Sequence, residues 1–311
     1  MAWTVADIPD QRGRIAVITG ANGGLGFETA RELARAGAHV VMAVRSPEKG
    51  EAARREILEE VPSASLELRP IDLASQDSVR ACAAGVLEAH PSVDVLVNNA
   101  GVMAVPEATT EDGHELQFGV NHLGHFLLTS RLLPALLRSA DPRVVAVTST
   151  GRHYAAELDE NGPVFGPRGY DPWRAYGLSK RANLQFAVEL QRRANAAGLR
   201  MRSLGADPGF SDTDLQAHGA RTSGGRSQRF FRWAVRRFGA DPHQGALPQL
   251  RAATDPDARG GSLYVLRWIV GGPPVSRPAS GKYLQPGRLR YVWEVSEHLI
   301  GERFGSFEPS G

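Results

Sequence analysis

Lysine is nearly absent from this chain. Only Lys49, Lys180 and Lys282 occur, against 33 arginines in 311 residues. Coding bias favours arginine without any functional reason, so the scarcity alone decides nothing. A retained lysine is nevertheless a candidate position for a compact point charge on a flexible stem, where a planar guanidinium will not serve. Cysteine is scarcer still. Cys82 stands alone, which excludes an intrachain disulfide and fits a reducing compartment. No apolar stretch approaches the roughly 18 residues that span a bilayer. The N-terminus MAWTVADIPDQRGR lacks the basic start and apolar run of a secretory signal. Neither sign of charge dominates, and a net charge of +2 gives no reason to expect nucleic acid. With 42% hydrophobic and 23% charged residues, the composition is that of a globular protein. The expectation is a cytoplasmic protein with a small-molecule substrate, no nucleic-acid partner and no stable membrane span.

What is present is alternation. The β-branched runs at 14–19, 39–44, 65–70, 93–98, 143–149 and 200–205 read as strands, and 25–36, 47–60, 75–89, 112–138 and 171–197 carry helical spacing. Strand and helix alternating in this way predict an α/β, doubly wound parallel sheet covered on both faces. Near-continuous apolar strands agree, because they are buried on both sides. Nothing divides residues 1–205, and the chain reads as one domain over 1–311, with a core at about 13–215 and decorating elements from 216 onward. Within the latter, 219–228 and 271–281 read as loops.

The first strand runs into TGANGGLGFETA, with Gly20, Gly24 and Gly26 ahead of a helix. Glycine permits a tight turn and close backbone approach, and a helix N-terminus offers unpaired N–H groups to a pyrophosphate. The second strand ends in AVRSPEK. An NAD site puts Asp or Glu there for the ribose 2′-hydroxyl, whereas here Arg45 follows Val44. That favours NADP(H), with NAD(H) possible; a solvated loop arginine is the alternative. Asp72 in PIDLAS suits an adenine amino group or, equally, a helix N-cap. NNAG, Asn98 to Gly101, ends the fourth strand, where an open parallel sheet binds ligand; its Asn side chains also suit mere turn stabilisation. His122 and His125 form H-x-x-H without a third ligand at suitable spacing, so no metal is expected.

TGANGGLG, NNAG, NHLGHF, Ser149, YGLSK and DPG occur in the order of the short-chain dehydrogenase/reductase family, and the chain resembles that family over about 13–215. NHLGHF with SKRAN is similar to the branch of retinol dehydrogenases and protochlorophyllide reductases. The resemblance implies a Rossmann-type fold with C-terminal substrate-lid elements and a catalytic set of Asn121, Ser149, Tyr176 and Lys180. It implies cofactor contacts from Gly20, Asn22, Gly24, Leu25, Gly26, Arg45, Asp72, Leu73, Asn99, Ala100 and Gly101. Tyr176, Lys180, Pro208, Gly209, Phe210 and Thr213 complete that set. It also implies a homo-oligomer, dimer or tetramer, through the helices at 112–138 and 171–197. This branch usually has His before the Pro-Gly pair, where Asp207 stands here.

Tyr176 and Lys180, four apart, project from one helix face. At roughly 5 Å and an effective dielectric near 20, an ammonium stabilises phenolate by about 3 kcal/mol. That brings a tyrosine from about 10 to about 8, near enough to neutrality for proton exchange with a substrate oxygen. In the family pattern Ser149 hydrogen-bonds that oxygen, Lys180 also holds the nicotinamide ribose, and Asn121 anchors a water. The residues between Ser149 and Tyr176 include an insertion carrying Tyr154, Phe165, Tyr170 and Trp173, which are candidate substrate contacts or ordinary loop packing. Gly177 costs a helix about 1 kcal/mol relative to Ala; the sequence suggests only a close backbone approach as its reason. The amphipathic 226–238 reads as an aromatic lid in preference to a membrane-surface helix, which points to an apolar or ring-containing substrate.

The expected activity is NADP-dependent interconversion of an alcohol and a ketone or aldehyde. A carbon–carbon double-bond reductase is the enzymatic alternative, separable by product analysis with an enone. A non-catalytic NADP-binding sensor is the other, which the retained Tyr176 and Lys180 disfavour. Arg45→Asp is expected to weaken NADPH binding more than NADH binding in calorimetric titration; equal effects refute the role given to Arg45.

Overall fold

The computed structural model describes residues 2–209, 241–268 and 271–307. Eight strands form the main sheet: β1 Ile15–Thr19, β2 His39–Val44, β3 Ser65–Pro70, β4 Val95–Asn98, β5 Arg143–Val147, β8 Arg202–Asp207, β9 Ser262–Trp268 and β10 Gly271–Pro278. A separate hairpin joins β6 Glu157–Asp159 to β7 Gly162–Val164. The sheet order is β10-β9-β8-β5-β4-β1-β2-β3, parallel except for the β10–β9 pair. After β3 the chain returns to the far side of β1 to lay down β4. The strand order therefore reverses between β1 and β4, and a crevice opens at their carboxyl ends.

Two helical layers bury the sheet. Helices α1 (Gly24–Arg35), α2 (Pro47–Glu60) and α7 (Pro242–Thr254) pack on one face, and α3 (Gln76–Ala89), α5 (Gly124–Leu137), α6 (Pro172–Ala196) and α8 (Pro286–Ile300) on the other. The pleat divides each strand between them: Ala16 and Ile18 of β1 join the first core, and Val17 between them joins the second. Helix starts follow their local chemistry. Ser46, Ser75 and Asp171 each accept a backbone N–H of the first turn, and Pro47 and Pro172 sit where no donor is needed.

Three expectations need correction. The segment 112–138 is not one helix: a short α4 (Leu116–Phe118) leads into a π-turn, Gly119–Leu123, before α5 begins. Part of 271–281 is strand β10 rather than loop. Its prolines donate nothing, which an edge strand with a bulge between Gly271 and Pro274 tolerates. The sixth core strand runs to Asp207, two residues beyond 205. The loop at 219–228 and the helix at 226–238 lie outside the described residues.

The outward face of α5 is not free. Helix α8 and the residues after it lie across α5 and α6, with Trp293 4.5 Å from Phe304 and 5.0 Å from Phe126 between ring centroids. His122 Nε2 meets Ser296 Oγ at 2.8 Å, and the Arg193 guanidinium sits 4.2 Å over the Trp293 ring. The helices expected to carry a subunit contact thus have their apolar surface covered by this chain's own C-terminal segment. No described helix is long and apolar enough to cross a membrane. Trp293→Ala is expected to lower the unfolding free energy by about 3–5 kcal/mol, read by urea denaturation; a loss under about 1 kcal/mol would mean the surrounding side chains close the gap.

Candidate active site

The site is assembled at the carboxyl ends of β1, β4, β5 and β8. At β1 the Thr19 hydroxyl accepts the N–H groups of Asn99 at 2.9 Å and Ala100 at 3.0 Å. Asn99 Nδ2 donates to the Thr19 carbonyl and Asn98 Nδ2 to Thr129 Oγ1, both at 2.9 Å. The two Asn side chains therefore hold the turn. A Cβ on Gly26 would lie 2.3 Å from the Gly20 carbonyl oxygen and 2.6 Å from Asn99 Nδ2, so α1 can approach β1 this closely only through glycine. Gly20 and Gly24 have φ of +68° and +51°, in the left-handed region glycine favours. Gly23 caps α1 without a side-chain acceptor, which leaves the first-turn N–H groups available to a pyrophosphate, with half-buried Asn22 just before the helix and half-buried Leu25 in its first turn. This cradle fits a dinucleotide. Arg45 is exposed at the tip of β2 and makes no ion pair among the described residues. Ser75, not Asp72, caps α3; Asp72 accepts Ala74 N–H with one oxygen, while Leu73 is buried beside it.

Asn121 lies within the π-turn and is fully buried. Its Oδ1 accepts Val102 N–H at 2.7 Å, and its Nδ2 donates to Val102 O and Ser179 Oγ, each at 2.9 Å. His125 Nδ1 is 2.9 Å from the Asn121 carbonyl, so Nδ1 carries the proton, and Nε2 accepts from Thr19 Oγ1 at 2.8 Å. Burial drives the His125 pKa down to about 3. The imidazole is a neutral strut between β1 and the π-turn. The Asn121 side chain is thus engaged through both of its polar atoms. His122 is also buried, between Asn183 and Ser296, and neither histidine belongs to a metal-holding cluster among the described residues.

Tyr176 and Lys180 stand on the first turns of α6, both buried, with Nζ 5.9 Å from the phenol ring centroid. Ser149, at the N-cap of a 3₁₀ turn (Thr150–His153), accepts Gly151 N–H at 3.2 Å, and a Cβ on Gly151 would meet both Tyr176 Cε1 at 3.1 Å and Ser149 Oγ at 3.5 Å, so the two side chains are neighbours. Lys180 Nζ donates to Val147 O at 3.2 Å, and a Cβ on Gly101 would lie 3.5 Å from it and 2.9 Å from Asn121 Oδ1. Ser149, Tyr176, Lys180, Gly101 and Asn121 are thus gathered at one end of the sheet. Burial pushes Tyr176 up to about 12, opposed by the Ser149 hydrogen bond and reinforced by Asp207. Burial pushes Lys180 down to about 8, with Asp207 opposing. Burial of both groups thus works against the phenolate that the ion-pair argument favours.

With this geometry in place, comparison with known proteins is decisive. The family model for short chain dehydrogenase matches residues 14–223. The chain belongs to the short-chain dehydrogenase/reductase family. The relatives it matches in this family are named as dehydrogenases. Human retinol dehydrogenase 13 is 44% identical over 206 residues, 66% of this chain and 61% of the relative. The chain therefore spans under two thirds of that relative's length. Mouse polyprenol dehydrogenase is 42% identical over 301 residues, 94% of this chain and 86% of the relative. A solved structure of an uncharacterized protein from Mycobacterium Paratuberculosis superposes with a TM-score of 0.80 at 41% identity, covering 98% of this chain and 100% of that one.

Several supporting groups in this family member escape sequence reasoning. Thr19, His125 and Ser179 act through backbone geometry, and only the four-residue spacing of Asn121 and His125 hints at their contact. Within the insertion, Tyr154 is exposed and bonded to Asp171, and Tyr170 holds Val105, Glu115 and Gln117. Phe165 lies against Tyr170, and Trp173 alone of the four packs beside Tyr176, with Met103 and Ala104. Pro208 and Gly209 follow β8 as expected; Phe210 and Thr213 lie outside the described residues. Gly177 gains its reason: a Cβ there would sit 1.9 Å from the Tyr154 carbonyl oxygen and 2.7 Å from that of Gly151. Gly177→Ala is expected to cut kcat by about 10²-fold by separating Ser149 from Tyr176, while cofactor affinity measured by calorimetry is retained. Unchanged kcat would show that this backbone contact does not set the alignment.

Proposed function

We propose that this chain is an NADP(H)-dependent oxidoreductase that interconverts an apolar or ring-containing alcohol and its aldehyde or ketone. The observation that carries it is the convergence of half-buried Ser149 with buried Tyr176 and Lys180 beside Gly101 and Asn121. A bound nicotinamide supplies the hydride chemistry. In reduction the Tyr176 hydroxyl gives its proton to the substrate oxygen, and in oxidation the phenolate takes it back. Ser149, beside the phenol, hydrogen-bonds the same oxygen and orients it. Lys180, in its charged form, favours the phenolate and holds the ribose. Asn121 fixes the turn through Val102 and anchors a relaying water.

NADP is favoured over NAD because β2 ends in an exposed, unpaired arginine and not in a carboxylate. The pyrophosphate is assigned to Gly20, Asn22, Gly24, Leu25 and Gly26, the adenine to Asp72 and Leu73, and the nicotinamide side to Asn99, Ala100, Gly101, Pro208 and Gly209. Two supports bear on the substrate. The relatives named for retinol and polyprenol are named for apolar alcohols, and Trp173, Met103 and Ala104 bring apolar surface to Tyr176.

Tyr176→Phe is expected to keep NADPH affinity and to lose nearly all turnover of a retinoid or polyprenoid alcohol–aldehyde pair, followed by nicotinamide absorbance. Retained turnover would sink the assignment of Tyr176. Calorimetric titration of wild type with NADPH and with NADH tests the cofactor, and tighter NADH binding would overturn the preference.

A further inference from the structure

Beside Tyr176 and Lys180 lies an ion pair that the proton-transfer scheme does not use. Arg152, in the turn that opens with Ser149, directs Nη1 to Asp207 Oδ2 at 2.5 Å. Both side chains are nearly inaccessible, with Arg152 at 8% and Asp207 at 2% exposure. A buried pair is costly to assemble and is weak support for stability as such, so its other connections matter. Arg152 Nε donates to the Tyr283 hydroxyl at 3.2 Å, and the Arg152 carbonyl accepts from Arg181 Nε at 3.0 Å. The other Asp207 oxygen accepts Gly209 N–H at 3.0 Å. Tyr283 is held in turn, its carbonyl accepting from Gln185 Nε2 at 2.8 Å and its ring lying under the Arg181 guanidinium. One pair thus links the Ser149 turn after β5, the Pro208–Gly209 segment after β8, helix α6 and the C-terminal turn Lys282–Leu284.

We infer that Arg152 and Asp207 are positioning residues: together they lock the Ser149 turn to the segment after β8 and set the charge that Tyr176 and Lys180 experience. Among the described residues, the charged and titratable groups around the reacting pair are few. Asp207 on β8 acts on both, His125 on α5 faces Lys180 and is neutral, and Arg152, His153, Arg181 and Tyr283 surround Asp207. Burial acts first on both groups; the Asp207 carboxylate favours the charged lysine against that burial and disfavours the phenolate alongside it. Arg152 moderates that anion. Too strong a negative field disfavours the phenolate, and too weak a field discharges the lysine.

The inference rests on Tyr176 and Lys180 being the reacting pair, yet its test reads charge directly and without turnover. Lysine enriched at the ε carbon gives only three resonances in this chain, and Lys180→Arg identifies the one that matters. In wild type that resonance is expected to titrate at about 8. Arg152→Gln leaves the anion unmoderated and moves the midpoint up by about one pH unit. Asp207→Asn moves it down by about as much. The double variant Arg152→Gln/Asp207→Asn falls between the two singles. Should Arg152→Gln fail to fold, the order of wild type, Asp207→Asn and the double variant still decides. Midpoints that stay fixed, or that move the same way in both singles, overturn the inference, because a purely structural pair predicts no opposed shifts. Loss of the proposed activity is recognised separately, as absence of turnover in a wild type whose Lys180 titrates as described.

Discussion

The catalytic geometry depends on a contact between two stretches of backbone. At Gly177 helix α6 lies against the carbonyls of Gly151 and Tyr154 with no room for a methyl group. That approach brings the Tyr176 phenol against Ser149, and one turn later it brings Lys180 under the end of β5. A glycine in the second turn of a helix sacrifices helical stability, and here the loss is offset by α6 packing for most of its length between the sheet and α8. The side chains of the proposed reaction therefore rest on a packed backbone contact between two elements.

A second tie comes from the other direction. The π-turn turns Asn121 toward Val102, and His125 spans from its carbonyl to Thr19 on β1. The turn after β4, the end of β1 and the start of α5 are therefore one hydrogen-bonded unit. Its low-dielectric surroundings make each bond stronger and make loss of any partner costly. A π-turn commonly marks such functional positions. The cofactor cradle on one side and the Tyr176 helix on the other are held in register by the same few buried amides.

Much of this was legible in the residues. Alternating apolar runs locate the six core strands within a residue or two, and the ordered motifs bring Ser149, Tyr176 and Lys180 together. The spacing of Tyr170 and Arg174 imitates that of Tyr176 and Lys180, but Tyr170 precedes the Asp171 cap and lies outside α6. What stayed hidden has physical reasons. The π-turn keeps the apolar periodicity of a helix, so Asn121 is invisible as a kink. β10 is rich in Gly and Pro, the usual signs of a loop, yet it pairs antiparallel with β9 as the edge strand, with a bulge between Gly271 and Pro274. The burial that acts on Tyr176 and Lys180 is not legible in a charge pair read from sequence, because desolvation is a property of the packed core. Arg152 and Asp207, 55 residues apart, have no local signature at all.

The cover that α8 lays over α5 bears on how the chain reaches this state during synthesis. His122 meets Ser296 across 174 residues and Gly305 meets Ser130 across 175. Contacts at such separation form late, since the loop they close must be ordered first. Phe126 and Phe186 therefore wait, exposed, until Trp293 and Phe304 have left the ribosome. Until that segment is in place, the rings of Phe126 and Phe186 lack the cover of Trp293 and Phe304, and exposed aromatic surface of this kind invites association with other chains.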